Sequence, residues 1–182
     1  MSLPVPLFGT TLVVGPSNAG KTRLTARSLD EWVAKHGPEG CVVLDFAPTV
    51  ERDGETLGGP LTQFTTVPDE AAHGVVDAHA PRTEGADDAE ALALAEANAT
   101  AAAEHVEAAP ADPRAVFVND ATIALQANPA VERLTGYCDR ADCAVLNAFE
   151  SDELGVDSPV SSNEREALDT LRAWADRVVE LP

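Results

Sequence analysis

Thr10-Thr11-Leu12-Val13-Val14-Gly15-Pro16-Ser17-Asn18-Ala19-Gly20-Lys21-Thr22-Arg23-Leu24 decides the reading of this chain. Thr10–Val14 is a β-branched, continuously apolar run of strand length. Leu24, Leu29, Trp32 and Val33 recur at helical spacing until Gly37-Pro38. Between them, Gly15–Thr22 matches G-x-x-x-x-G-K-[ST] at every defined position. Strand, glycine-rich turn and helix in that order make an anion cradle. The turn aims backbone N–H groups inward, and the helix N-terminus adds partial positive charge. Gly15 and Gly20 allow a close approach that a Cβ would block. Pro16, Ser17, Asn18 and Ala19 supply the backbone between them. Lys21 can reach the β- and γ-phosphates of a bound triphosphate, and the Thr22 hydroxyl can ligate Mg²⁺.

Outward from this stretch, four more runs read as strands: Cys41–Phe46, Ala115–Asn119, Cys143–Asn147 and Arg177–Leu181. Most are apolar throughout, as strands covered on both faces are. Helices alternate with them. Ala86–Ala109 is alanine-rich with acids toward its start. Asn128-Pro129 reads as an N-cap followed by proline, with Gly136 as the stop. Ser161–Glu164 reads as a capping box opening a helix whose stripe is Leu168, Leu171 and Trp174. The expected fold is an α/β three-layer sandwich with a mostly parallel five-stranded sheet, Thr10–Val14 near its centre, in a single domain over 1–182. Residues 47–82, rich in Gly, Pro, Thr and Asp, show no long period. A stretch of that length is functional or hides short elements.

The motif and its flanks identify a resemblance to the P-loop NTPase superfamily, specific over Leu12–Thr22 and general beyond it. The resemblance implies ATP and Mg²⁺ as ligands. The guanine-reading Asn/Thr-Lys-x-Asp motif is missing, which favours ATP and leaves GTP open. It also implies an acid at another strand's end that shares the metal with Thr22. Asp120, after Ala115–Asn119, and Asp45, closing Cys41–Asp45, both qualify. In the RecA-like branch the metal acid follows the third strand and a polar sensor ends the fourth, the order in which Asp120 and Asn147 occur. No glutamate follows Asp120 directly, and Glu150 is the nearest later substitute for a water-activating base. The pieces also resemble adenosylcobinamide kinase/guanylyltransferase, through Val118-Asn119-Asp120-Ala121-Thr122 and Leu146-Asn147-Ala148-Phe149-Glu150. That resemblance would put a guanylyl-accepting histidine at His79 in Asp77–Arg82, where the family's paired His-Arg is missing. The implied activity is a small-molecule kinase or modest NTPase acting on an unidentified acceptor. The rival is a nucleotide-dependent switch that binds a protein partner.

Composition bounds the rest. Acidic residues number 31 against 12 basic, for a net charge of −19. Lys21 and Lys35 are the two lysines, so one of them falls where the motif needs it. Acid excess with few lysines is the halophile pattern, because at molar salt a Debye length of about 3 Å screens the self-repulsion. With no basic stripe and 4 % aromatics, no nucleic-acid partner is expected. No apolar run is long enough for a membrane span. Met1–Val14 reads as lead-in and first strand rather than a secretory signal. Cys41, Cys138 and Cys143, odd in number and without nearby partners for zinc, read as small core residues in a cytoplasmic protein.

Overall fold

A computed structural model describes residues 4–182, so the first three residues of the lead-in lie outside it. The chain builds β1 (Gly9–Gly15), α1 (Lys21–His36), β2 (Cys41–Asp45), β3 (Thr49–Arg52), β4 (Glu55–Gly58), β5 (Ala72–Val75), α2 (Pro81–Glu84), α3 (Asp88–Ala108), β6 (Ala115–Asn119), α4 (Glu132–Cys138), β7 (Cys143–Phe149), α5 (Pro159–Trp174) and β8 (Arg177–Glu180), with short 3-10 turns at Leu61–Gln63 and Ala121–Leu125. The main sheet has six strands in the order β5-β2-β6-β7-β1-β8. Every pairing in it is parallel.

Alternation along each strand divides the core in two. Leu12, Val14, Val116, Val118 and Leu146 face α3, α4 and α5, meeting Val106, Leu134, Leu168 and Leu171. Val13, Val43, Phe117 and Val145 face the other way, onto Leu24, Leu29 and Trp32 of α1. The result is a three-layer α/β sandwich. All three cysteines are buried and unpaired. Burial pushes the Cys41 thiol up to about 11 and the Cys143 thiol up to about 12, so they are packing residues without thiolate chemistry.

Several elements differ from the expectation. The sheet has a sixth strand, β5, which among the described residues pairs only with β2, at the edge. Its sequence Ala-His-Gly-Val is short and half polar, and it gives no apolar run. β1 is next to the opposite edge rather than central, with only β8 beyond it. The helix expected from Asn128-Pro129 begins at Glu132 instead. Asn128 Oδ1 accepts from Ala130 N at 3.0 Å in a local turn, and Gly136 sits inside α4. α5 starts at Pro159, where Ser158 is the cap and accepts from Ser161 N at 3.1 Å. Glu164 therefore caps nothing and faces inward from the second turn.

The stretch 47–82 resolves into short elements. β3 and β4 form a hairpin through Asp53-Gly54, both with positive φ (53° and 82°), the type I′ turn that matches strand twist. An Asp-Gly pair is a local signal for such a turn, one that leaves no long period in 47–82. The hairpin's root is tied to the sheet's C-terminal end. Asp45, 1 % exposed, accepts from Leu61 N at 2.6 Å, and Asn119 Nδ2 donates to the Gly59 carbonyl at 3.1 Å.

Candidate functional site

The C-terminal ends of parallel strands open onto a cleft of about 830 Å³. One wall is the loop between β1 and α1 together with Arg23. Val50, Thr56 and Leu57 of the hairpin line the cleft too, as does Phe64, whose ring lies 5.1 Å from the Arg23 guanidinium. The far end is Arg82 from α2, Phe149 from β7 and Glu164 from α5, and the floor is Asn119, Asp120 and Asn147.

The loop wraps tightly because its glycines are placed for it. A Cβ on Gly15 would meet the Leu181 carbonyl at 2.7 Å, so this glycine lets the chain run against β8. Gly20 has φ +94° at the start of α1, a conformation that L side chains rarely adopt, and its Cβ direction is open. The loop already holds an anion from its own chain. Ser17 N donates to Glu153 Oε1 at 2.8 Å, so a carboxylate sits where a loop N–H points. Lys21 Nζ donates to the Pro16 carbonyl at 2.5 Å and lies 6.0 Å from the centroid of the Phe149 ring. Burial lowers its pKa, while the charges of Asp120 and Glu153 act the other way.

On the floor, two asparagines form a bonded cross-link between strands. Asn147 Oδ1 accepts from Asp120 N at 2.9 Å, and its Nδ2 donates to Thr25 Oγ1 and to Asn119 Oδ1, both at 2.9 Å. The Thr22 hydroxyl donates to the same Asn119 Oδ1 at 3.2 Å. Asn119 thus stands directly against Thr22, one residue before the acid proposed for that place. Asn147 lies two residues short of the end of β7, not at its end. Both oxygens of Asp45 are spent on protein donors: Oδ1 on Asn119 Nδ2 at 2.9 Å and Oδ2 on Leu61 N. Asp45 is therefore one residue removed from Thr22, anchoring the hairpin root, and its carboxylate has no edge turned to the cleft.

Asp120 has the opposite character. It sits in left-handed backbone (φ 57°), and its Oδ1 is buried with no hydrogen-bond partner among the described residues. Burial above all, and then the neighbouring Glu164 charge, pushes its carboxyl up to about 7, against the opposing charges of Lys21 and Arg82. A buried, unbonded carboxylate oxygen beside two cations is chemically incomplete, and a hard cation or a proton would complete it.

Glu150 does not reach the cleft. Its carboxylate is held by Arg172, at 3.1 Å from Nε and 2.5 Å from Nη2, and Arg172 also binds Glu180. The arginine's alignment on α5 turns Glu150 outward, which removes it as a candidate base. His79 is half exposed and pairs with Glu84 at 3.2 Å, while its backbone is fixed by Asn98. Neither imidazole nitrogen lines the cleft.

Arg82 and Glu164 join the site through tertiary contacts alone. Arg82 Nη1 lies 2.6 Å from Glu164 Oε2 and donates to Ser161 Oγ at 3.1 Å. Glu164 Oε1 accepts from Thr122 Oγ1 at 2.8 Å and Gln126 Nε2 at 3.1 Å. The partners are 79 to 82 positions apart or on different elements, so no local pattern could announce them. Three of the chain's twelve basic residues, Lys21, Arg23 and Arg82, converge on this one cleft of a strongly acidic protein. Two acids, Asp120 and Glu164, line the cleft as well, so its lining is close to charge-balanced in a chain of net charge −19. Among the described residues, no group of three or more His, Cys, Asp or Glu side chains could hold a metal by itself, and no helix is long and apolar enough to cross a membrane. No family model matches the sequence, and no curated protein matches it either.

Proposed function

We propose that the cleft binds a nucleoside triphosphate with Mg²⁺, ATP being favoured, in a P-loop NTPase fold of the RecA-like branch. The observation that carries this is the contact of Ser17 N with the Glu153 carboxylate beside Lys21. A loop that draws its own chain's carboxylate onto an inward N–H has the chemistry to bind phosphate oxygens. Support for the branch comes from strand order: β7 lies between β1 and β6, so the Asp120 strand is not the loop strand's neighbour.

In this reading Gly15–Gly20 cradles the phosphates, Lys21 offsets their charge, and Thr22 and Asp120 hold Mg²⁺. The orphaned Asp120 oxygen fits a magnesium ligand, direct or through water, and Asp45 does not. Bound magnesium would neutralise charge on the terminal phosphates. Asn147 fixes the Asp120 backbone and so positions that carboxylate. The reaction is phosphoryl transfer to a small acceptor, or modest hydrolysis, and the cleft's apolar wall of Val50, Leu57 and Phe64 suits a partly apolar acceptor.

Lys21→Ala removes a charged hydrogen bond of roughly 1.5–3 kcal/mol and should weaken Mg-ATP binding about tenfold to a hundredfold. Titration calorimetry in molar potassium chloride measures this, and unchanged affinity ends the reading. The same buffer matters for stability. The melting temperature should rise steeply from dilute buffer to molar potassium chloride, since exposed acids such as Asp87, Asp88, Glu90 and Glu96 crowd one end of α3. A flat or falling curve removes the salt-adaptation proposal.

One observation favours a switch as the second reading. Glu153 must leave Ser17 before a phosphate can take its place, so ligand binding remodels the segment between β7 and α5. Steady-state hydrolysis with and without small hydroxylated acceptors separates the two. Stimulation by an acceptor supports the kinase, and acceptor-independent slow turnover supports the switch.

A further inference from the structure

The geometry points to Arg82 as a catalytic arginine supplied within the chain, whose guanidinium contacts the terminal phosphoryl group of the bound triphosphate; this rests on the nucleotide reading above.

The arginine is built into place. Pro81 starts the four-residue α2, Glu84 accepts from Ala80 N, and Gly85 N closes the turn onto the Pro81 carbonyl at 3.0 Å. Gly85 is packed so closely on α3 that a Cβ would meet Ala91 N at 2.7 Å. From this fixed turn the Arg82 side chain crosses to α5, where Glu164 and Ser161 take Nη1. Glu164 is itself locked by Thr122 and Gln126. The guanidinium lies 5.6 Å from the centroid of the Phe149 ring, the same ring that Lys21 Nζ approaches to 6.0 Å.

Two features separate this from a structural ion pair. Among the described residues the one side-chain hydrogen bond of Arg82, to Ser161 Oγ, and its ion pair with Glu164 both run through Nη1, and neither Nε nor Nη2 donates a hydrogen bond. The residue also lines the cleft rather than sealing the core. A guanidinium held by one edge with its other donors uncommitted is preorganised to bind planar or equatorial oxygens. Lys21 and Arg82 line the same cleft and both approach the Phe149 ring, so Arg82 is placed to meet the end of a phosphate chain that the loop and Lys21 hold. In the transfer step the attacking oxygen, from water or an acceptor hydroxyl, forms a bond to the γ-phosphorus. The bond to the β–γ bridging oxygen breaks, its electron pair stays on the diphosphate, and the attacking oxygen's proton passes to solvent. Negative charge spreads over the equatorial oxygens in between, and a positioned arginine stabilises that arrangement more than the ground state.

The test compares Mg-ADP with Mg-ADP plus fluoroaluminate, a mimic of the phosphoryl group in flight, by calorimetry in molar potassium chloride. Wild type should bind the fluoroaluminate complex about a hundredfold tighter or more than Mg-ADP alone. Arg82→Ala combined with Glu164→Gln, which avoids leaving a buried unpaired acid, should lose most of that tightening and keep Mg-ADP affinity. Arg82→Lys, which retains charge and the pairing acid, should lose it in part and guards against misfolding of the double variant. Retained tightening in both variants overturns the role of Arg82, as does its absence in wild type that binds Mg-ADP. Failure of wild type to bind either nucleotide overturns the nucleotide reading itself, and this inference with it.

Discussion

Glu164→Ala should cost about 3–5 kcal/mol of folding stability, the largest loss expected of any single surface-to-cleft substitution here. Glu164 is 4 % exposed and carries the Arg82 guanidinium, the Thr122 hydroxyl and the Gln126 amide. Truncation leaves a mostly buried cation and two buried donors without acceptors, each of which has given up its water. The pair spans α2 and α5, so its loss also unties the turn that carries Arg82. Removing both charges is a different case: Arg82→Met with Glu164→Leu should recover most of the loss, since the desolvation of both ions disappears together. The contrast is Glu150→Ala. That residue's pair with Arg172 is partly exposed and should be worth no more than about 1 kcal/mol, less in molar salt. Urea unfolding midpoints at low and molar potassium chloride compare all three. A Glu164→Ala midpoint equal to that of Glu150→Ala would show that the cleft pair is solvated and holds nothing together.

Asp120→Asn should stabilise the nucleotide-free protein increasingly as pH rises above about 4, and fully above about 7. The Asp120 carboxyl rises from its ordinary 3.8 to about 7 in the folded state. Below about pH 4 the group is protonated in both folded and unfolded chains and has no effect. Between about 4 and 7 the unfolded chain releases the proton while the folded one keeps it, so stability falls as pH rises. Above 7 the loss is complete and amounts to roughly 4 kcal/mol, from about three units at 1.36 kcal/mol each. Asparagine is nearly isosteric, needs no ionisation and tolerates the left-handed backbone at this position. Wild type and variant should therefore match at acid pH and diverge through pH 5–7, with the variant more stable by several kcal/mol at pH 8. All other carboxylates are shared, so the difference isolates this one. Parallel pH profiles would show that the carboxylate is not strained. With Mg-ATP present the order should reverse, because the charge that destabilises the empty protein is the one proposed to hold magnesium.

The two predictions concern residues that were unequally legible. Asp120 follows the apolar residues Ala115–Val118 and the polar Asn119, and its place at the C-terminal end of a buried parallel strand could be read from those five residues. The Gly15–Thr22 loop was legible for the same reason: strand, turn and helix are contiguous, and each of their requirements is local. Glu164 read as part of a capping box, because a serine three positions ahead of a glutamate satisfies that pattern whether or not the helix begins there. Proline at position 159 moved the start of α5 and turned Glu164 into the cleft.

What the sequence by itself determined was the class of fold, the loop, and the set of strands whose continuous apolar runs demand burial on both faces. Tertiary structure decided everything that depends on which strand lies beside which. It put β7 between β1 and β6, and so set Asn119 rather than Asp120 against Thr22, while Asn147 came to hold the Asp120 backbone. It committed Asp45 to the hairpin root and Glu150 to Arg172. It also delivered Arg82 across about 80 residues to Glu164. The physical reason is range. Periodicity, capping and turn chemistry act over a few neighbouring residues and leave their pattern in the chain. A side chain's partner in a parallel sheet arrives through a crossover, and what selects it is the packing of whole layers.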